Sequence, residues 1–296
     1  VRERYSRLRY IQTLDPEQDY DEIFALVTRY EFPWDYNTGW SFALVTDFVI
    51  PSITHTLAST GEFAHHPMKR YDDTMLFPFE AHRHGLDSAH GRKTVRALNK
   101  VHGHYDISND DYLHILAGHV VAAIEWINHY SWRRLSETEE RAIALAHHRL
   151  GELMGIKNIP RDYGGFKTWL EHDIHDRGQW HYANATMVGH TMRIIASLCP
   201  PGTRTIATKA ITALIPEHIR DILGQPTMPA WFTTAVRWSL RTRGRLIRLL
   251  PPRPDSHPYE RTPRSYPHGW TIDQLGPQHT PPGPAGYPAG PEGGPP

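Results

Sequence analysis

The sequence has one cysteine, no excess of either charge and no apolar run long enough to span a bilayer, and each shortage removes a class of protein. Cys199 alone cannot close an intramolecular disulfide, which excludes a disulfide scaffold, and its apolar neighbours read it as a core residue. Lys plus Arg and Asp plus Glu number 32 each, so no net field steers the chain towards nucleic acid, and no nucleic-acid partner is expected. No segment approaches the roughly 18 to 20 uninterrupted apolar residues of a membrane span. The nearest stretch, 42–53, is interrupted by Thr46, Asp47 and Ser52. The N-terminal stretch has no basic region leading into an apolar run and a small-residue cleavage site, so a soluble cytoplasmic protein is expected. Sustained strand alternation, internal repeats, a Gly-rich nucleotide loop, zinc-finger cysteine spacing and a Ser-centred nucleophile elbow are also missing, and several large enzyme classes go with them.

Proline and glycine, by contrast, are abundant and unevenly placed. Residues 251–296 hold 14 of the 25 prolines and 7 of the 22 glycines, leaving few apolar side chains to offset the entropy of ordering that segment. A disordered tail is expected there, with Tyr259, Tyr266 and Trp270 as weak docking points.

The remainder is patterned for helices. Tyr20, Ile23, Phe24, Val27 and Tyr30 recur near a 3.6-residue period, and 40–57 is an apolar helical stretch that Pro51 should kink or divide. Ser88 can cap a helix running to about Tyr105, Ser108 with Asp111 opens another through Tyr130, and Ser136 with Glu139 forms a capping box ahead of a helix ending near Gly155. Further helices are predicted at 163–176, 181–198, 203–214, 216–223 and 229–250. The expected fold is all-α: a helical N-terminal extension over 1–29, one helical domain over 30–250 with a buried pocket, and the Pro/Gly-rich tail. The last helix mixes Arg237, Arg241, Arg243, Arg245 and Arg248 with Trp231, Trp238 and Leu246, which suits either a solvated basic face over the core or peripheral contact with an anionic membrane or a partner.

The candidate chemistry lies among the 21 histidines. His65–His66, His82 and His84, His102 and His104, and His147–His148 are adjacent or i,i+2 pairs that point apart on a helix, so none supplies a metalloprotease spacing. His102 shares an apolar stripe with Val95, Leu98 and Tyr105, which fits a hydrogen-bonded core histidine or a ring nitrogen offered to a cofactor in a dry pocket. His119, within the apolar stretch 113–121, is a second choice. Arg70 and Thr74 are four apart on one helical face, either a local surface pair or a cation and a hydroxyl turned into a pocket.

At these residues the chain resembles a known family. Lys69-Arg70-Tyr71-Asp72-Asp73-Thr74 is followed by Arg96-Ala97-Leu98-Asn99-Lys100-Val101-His102-Gly103-His104-Tyr105 and Ser108-Asn109-Asp110-Asp111-Tyr112-Leu113. Trp132-Arg133-Arg134-Leu135-Ser136 and Leu150-Gly151-Glu152-Leu153-Met154-Gly155-Ile156 complete the pattern. In this order, across about 30–250, they resemble the MpaB and rubber oxygenase (latex clearing protein) family of helical b-type haem oxygenases. The resemblance implies haem b as cofactor and His102 as the iron ligand, with Arg70 and Thr74 in catalytic and haem-pocket roles and Asn99 and Tyr105 as cofactor-binding support. It further implies O₂ and an apolar, alkene-containing or isoprenoid substrate as partners, an external electron donor, and oxygen insertion with C=C cleavage. Rubber oxygenases can carry a lysine directly before the matched threonine, opposite the histidine ligand; Asp73 stands there, so that ligand is left open.

Trp126, Trp132, Phe166, Trp169 and Trp180 are apolar-shell candidates that equally fit plain core packing, and Asp73, Glu80, Glu125 and Glu171 are candidate proton acceptors. Two other function classes stand beside the oxygenase: a haem-binding or gas-sensing protein without turnover, and a helical interaction protein acting through its last helix or tail.

Overall fold

Local capping starts the helices that matter most. Ser88 accepts from the Gly91 N–H, Ser108 accepts from the Asp111 N–H, and Ser136 and Glu139 close a reciprocal capping box. In a computed structural model that describes residues 4–277, the chain runs through α1 (Ser6–Ile11), α2 (Pro16–Leu26), α3 (Pro33–Thr46), α4 (Pro51–Ser59) and α5 (Glu62–His65). There follow α6 (Pro67–Arg83), α7 (Ala89–His102), α8 (Asn109–Tyr130), α9 (Glu137–Met154) and α10 (Tyr163–Arg177). The last four are α11 (Tyr182–Ser197), α12 (Arg204–Leu214), α13 (Glu217–Ile222) and α14 (Ala230–Ile247), and the described residues contain no strand. Pro51 does divide the apolar stretch: it becomes the first residue of α4, and the axis turns by 104°.

The centre of the fold is α8, which buries residues on every side, from Leu113 and Leu116 to Ile124 and Ile127. Against it α3 packs at Gly39, where a Cβ would stand 2.7 Å from Ala123 Cα and 2.8 Å from the Ala122 carbonyl oxygen. α2 lies on α9, α6 on α7, and α10 on α8. At the entrance to α9, Arg133 donates to both oxygens of Glu139 at 2.7 and 2.8 Å and to Glu31 at 2.9 Å, while Arg7 binds the other Glu31 oxygen. Paired in this way, two carboxylates with fully enclosed side chains avoid the cost of unpartnered buried charge.

The N-terminal helices α1 and α2 pack on the rest of the fold, with Ile11, Ile23 and Phe24 in the main core. Two expectations need revision. Cys199 is half-buried beyond the end of α11 instead of in the core. The expected disordered tail contains an ordered stretch over 251–277 that straps α6, although it has little regular structure. Tyr259 N–H donates to the Arg29 carbonyl, Ser265 N–H to Asp72 and the Tyr266 hydroxyl to Asp73, and Ile272 and Leu275 pack on Leu76 and Phe77. Proline excludes regular helix but not order, because its fixed φ reduces the entropy lost on docking. Residues 278–296 of the expected tail lie outside the described residues.

α14 seats on the end of α8 through Gly244, where a Cβ would come within 2.6 Å of the Tyr130 and Ser131 carbonyl oxygens, and Arg243 binds Asp35 at 2.8 Å. Its other edge leaves Trp231, Trp238 and Leu246 exposed among Arg237, Arg241 and Arg245. Among the described residues no single helix is long and apolar enough to cross a membrane.

The α3–α8 approach gives a stability prediction. Gly39→Ala should cost about 1–3 kcal/mol through overpacking and lower the thermal midpoint followed by circular dichroism. Gly189→Ala on α11, where a Cβ meets nothing within 4 Å, should leave the midpoint unchanged or raise it.

Candidate functional site

The middle of α6, the end of α7 and the N-terminal half of α8 border an apolar cavity holding about 1560 Å³ of space, its solvent-facing mouth included. Arg70 and Thr74 enter it from one face of α6, His102 from the last turn of α7, Tyr105 from the following loop and His119 from α8. Leu57, Phe63, Leu98, Ile115 and Met154 supply apolar wall. The local chain explains the geometry of α6: Pro78 sits inside that helix and cannot donate to the carbonyl four residues back, that of Thr74, so the backbone ladder is broken beside a pocket residue.

Burial sets the state of each polar group. The His102 pKa is pulled down to about 4, first by burial and then by the Arg70 charge, so the ring is neutral at pH 7. Its Nδ1 is enclosed without a hydrogen-bond partner, and the Tyr112 ring lies 5.4 Å away. His119, stacked on Trp40 at 3.9 Å, is pushed to about 3 by burial and then by His147 and His114, and its Nε2 also lacks a partner. Asp47 is buried with an unpartnered oxygen, and burial holds its carboxyl well above the ordinary range. The Arg70 guanidinium donates to the Thr74 hydroxyl, which in turn donates to the Arg70 carbonyl at 2.8 Å, and it lies 5.3 Å over the Phe63 ring. Among the described residues no carboxylate forms an ion pair with it. A half-buried guanidinium set on a hydroxyl, in one apolar cavity with neutral imidazoles, can receive the anionic edge of a large apolar ligand while an imidazole lone pair binds an electron-poor centre.

The structure therefore brings Arg70, Thr74, His102 and Tyr105 to one cavity, with His119 beside them. Asn99 is placed elsewhere. It does not line the cavity, and its side chain donates to the Leu153 carbonyl at 2.9 Å, tying α7 to the end of α9. Asp73 reaches the cavity but is bound by Lys69 at 2.7 Å, the Tyr266 hydroxyl at 2.6 Å and the Gly276 N–H at 3.2 Å. The other candidate carboxylates, Glu80, Glu125 and Glu171, lie outside the lining, as do Trp126, Trp132, Phe166, Trp169 and Trp180. The aromatic wall is instead Trp40, Phe48, Phe63 and Phe77. Sequence reasoning missed Asp47 and Trp40 as cavity residues; the signal available for Asp47 was a lone carboxylate inside the apolar stretch 42–53.

Comparison with known proteins bears on this arrangement. A family model described as the catalytic domain of the ER-bound oxygenases mpaB and mpaB′ and of rubber oxygenase matches residues 36–249. The chain is 28% identical over 259 residues to the ER-bound oxygenase mpaB′ of Penicillium brevicompactum, across 79% of this chain and 60% of that protein. It is 32% identical over 165 residues to the ER-bound oxygenase mpaB of the same organism, covering 51% of this chain and 42% of the relative. An equal identity over 165 residues links it to mpaB of Penicillium roqueforti (strain FM164), covering 55% of that protein. The chain thus spans less than two thirds of each of these relatives.

The buried histidines impose a pH dependence. His102, His119 and His147 have folded pKa values of about 4, 3 and 4, below the ordinary histidine value of 6.5. Between that value and the folded pKa the unfolded chain binds more protons, so stability is fully present above pH 6.5 and is lost as pH falls. Each histidine withdraws about 2 kcal/mol between pH 6.5 and 5, while the buried Asp47 carboxyl works in the opposite sense. Thermal midpoints should fall over this range, and the fall should be smaller in His147→Gln.

Proposed function

Because this chain belongs to the mpaB and rubber oxygenase family, whose named members are oxygenases, we propose that it is a haem-dependent oxygenase acting on an apolar, alkene-containing substrate such as an isoprenoid. The observation that carries this reading is His102: a neutral imidazole whose enclosed Nδ1 has no hydrogen-bond partner, in an apolar cavity where the Arg70 guanidinium is held by Thr74 and not by an ion pair. These residues fit haem b. His102 would hold the iron, which takes a neutral imidazole, and Arg70 would take a propionate or orient oxygen, its position set by Thr74. Haem, when bound, supplies the activation of O₂ that amino-acid side chains lack.

The chain supplies the surroundings. Leu57, Phe63, Ile115 and Met154 exclude water and favour a substrate recognised by shape and apolar contact. Asp47 adds a carboxyl to the same cavity, and burial strengthens its hold on a proton. Tyr105 carries a hydroxyl at the lining, while Asn99 fixes α7, and with it His102, to α9. Cleavage of a C=C bond to two carbonyl groups consumes both atoms of O₂ and no net reductant, whereas insertion of one atom requires two electrons from an external donor.

A second surface belongs to this reading. The relatives are named ER-bound, and the exposed edge of α14 combines Trp231, Trp238 and Leu246 with Arg237, Arg241 and Arg245, leading into exposed Leu249 and Leu250. Tryptophan, leucine and arginine on one helix edge suit peripheral contact with an anionic bilayer. The protein should co-sediment with phosphatidylserine-containing vesicles in a salt-sensitive manner, and Trp231→Ala with Trp238→Ala should reduce binding at least about tenfold. Equal binding by the double variant, or none by the parent, would remove α14 from this role.

Absorption spectroscopy after haem reconstitution tests the central claim. His102→Ala should lose the Soret band and haem occupancy seen in the parent; an unchanged band would defeat the ligand assignment. Arg70→Ala should slow O₂ consumption with an alkene by on the order of 10²-fold, the usual cost of removing one polarising donor. A parent that binds haem and a diatomic gas but consumes no O₂ with any alkene would be a sensor instead.

A further inference from the structure

The turn between α6 and α7 brings together three side chains that the cavity does not use. Glu80 and His84 are four apart and share a face at the end of α6. Gly85, at φ +78, reverses the chain in a conformation that favours glycine, and Ser88 caps α7 so that His90 falls on its second residue. As a result Glu80 Oε1 lies 3.0 Å from His90 Nε2 and 3.3 Å from His84 Nε2, and the two imidazole centroids are 4.0 Å apart. The three donor atoms all fall within 4.8 Å of one another.

The two carboxylate–imidazole separations are close to those between ligands of one metal ion. Donors at about 2.0–2.2 Å from a tetrahedral ion stand roughly 3.3–3.5 Å apart. Without an ion, both rings direct a nitrogen at one carboxylate oxygen, while the other, Oε2, is enclosed and has no hydrogen-bond partner. Glu80 is only 8% exposed, so that orphaned oxygen sits where an unmet acceptor is costly. A divalent ion at this point would accept one lone pair from each imidazole and bind the carboxylate at Oε1, the oxygen on which both rings converge. The nearest cation, Arg83, stands 3.9 Å from Oε2 but is drawn closer to Glu260, at 3.2 Å.

We propose that Glu80, His84 and His90 form a three-ligand site for a divalent transition-metal ion, zinc by donor set, with a fourth position open to water. His84 and His90 side chains are 41% and 42% exposed, so the ion enters from solvent. Bound there, it cross-links the end of α6 to the start of α7, the two helices that deliver Arg70, Thr74 and His102 to the cavity. None of the three ligands lines the cavity, so the site stands independently of the haem reading.

The test uses the full chain after chelator treatment and dialysis, without haem, titrated with zinc chloride by calorimetry. One equivalent should bind and raise the thermal midpoint. His84→Ala and His90→Ala, both half-exposed positions expected to keep the helical circular dichroism spectrum, should each weaken binding at least tenfold and abolish the zinc-dependent rise. Glu80→Gln should weaken binding while both histidines remain. No zinc uptake by the parent, or undiminished uptake by a variant lacking both histidines, would overturn the proposal; the latter result would locate zinc on other histidines.

Discussion

Desolvation is the constraint on which the site depends. Once α6, α7 and α8 close around an apolar cavity, water no longer stabilises charge there, and each polar group must find a partner or change its protonation state. His102 and His119 respond by staying neutral, and the Asp47 carboxyl is shifted upward by its burial. Arg70 retains its donors but spends one on the Thr74 hydroxyl instead of a carboxylate. The same burial that makes these groups costly to fold makes them available to a ligand, because nothing inside the protein competes for them. Stability and ligand-binding capacity are therefore opposed at this site, as in other pre-organised sites.

The strap over α6 explains a departure that sequence comparison alone leaves open. Where rubber oxygenases can carry a lysine, this chain has Asp73, and the structure gives that carboxylate three partners: Lys69 one turn earlier, the Tyr266 hydroxyl and the Gly276 N–H. Lys69 also donates to the Gly276 carbonyl, so the charge pair clasps the chain where it reaches the cavity wall. Gly276 has φ +99, and a Cβ there would meet Val101 at 2.9 Å. Asp73 thus serves as an anchor for the 251–277 strap, while the pocket's unpartnered nitrogens belong to His102 and His119.

Much of the fold is legible because its determinants are local. Ser88, Ser108 and Ser136 announce helix starts through hydrogen bonds spanning three residues, and Pro51 breaks a helix through its own missing donor. The Arg70–Thr74 pair is legible for the same reason, since four residues is one helical turn. The place of Asn99 is not legible in the same way: His102, three residues on, lines the cavity, whereas the Asn99 side chain is held by the end of α9, 54 residues on. The ordered part of the Pro/Gly-rich segment was hidden similarly: composition reports the cost of ordering 251–277 but not the Asp72 and Asp73 acceptors waiting on α6.

What the sequence by itself determined is therefore the helical class, the helix starts, the division at Pro51 and the pairing of Arg70 with Thr74, all controlled within a turn or two of chain. Only the tertiary structure decided that His102 and His119 share one apolar cavity, that Asp73 anchors the strap, that Trp40 and not Trp126 forms the aromatic wall, and that Glu80, His84 and His90 converge. Those outcomes depend on burial and on contacts between helices, and neither is encoded in any single window of residues.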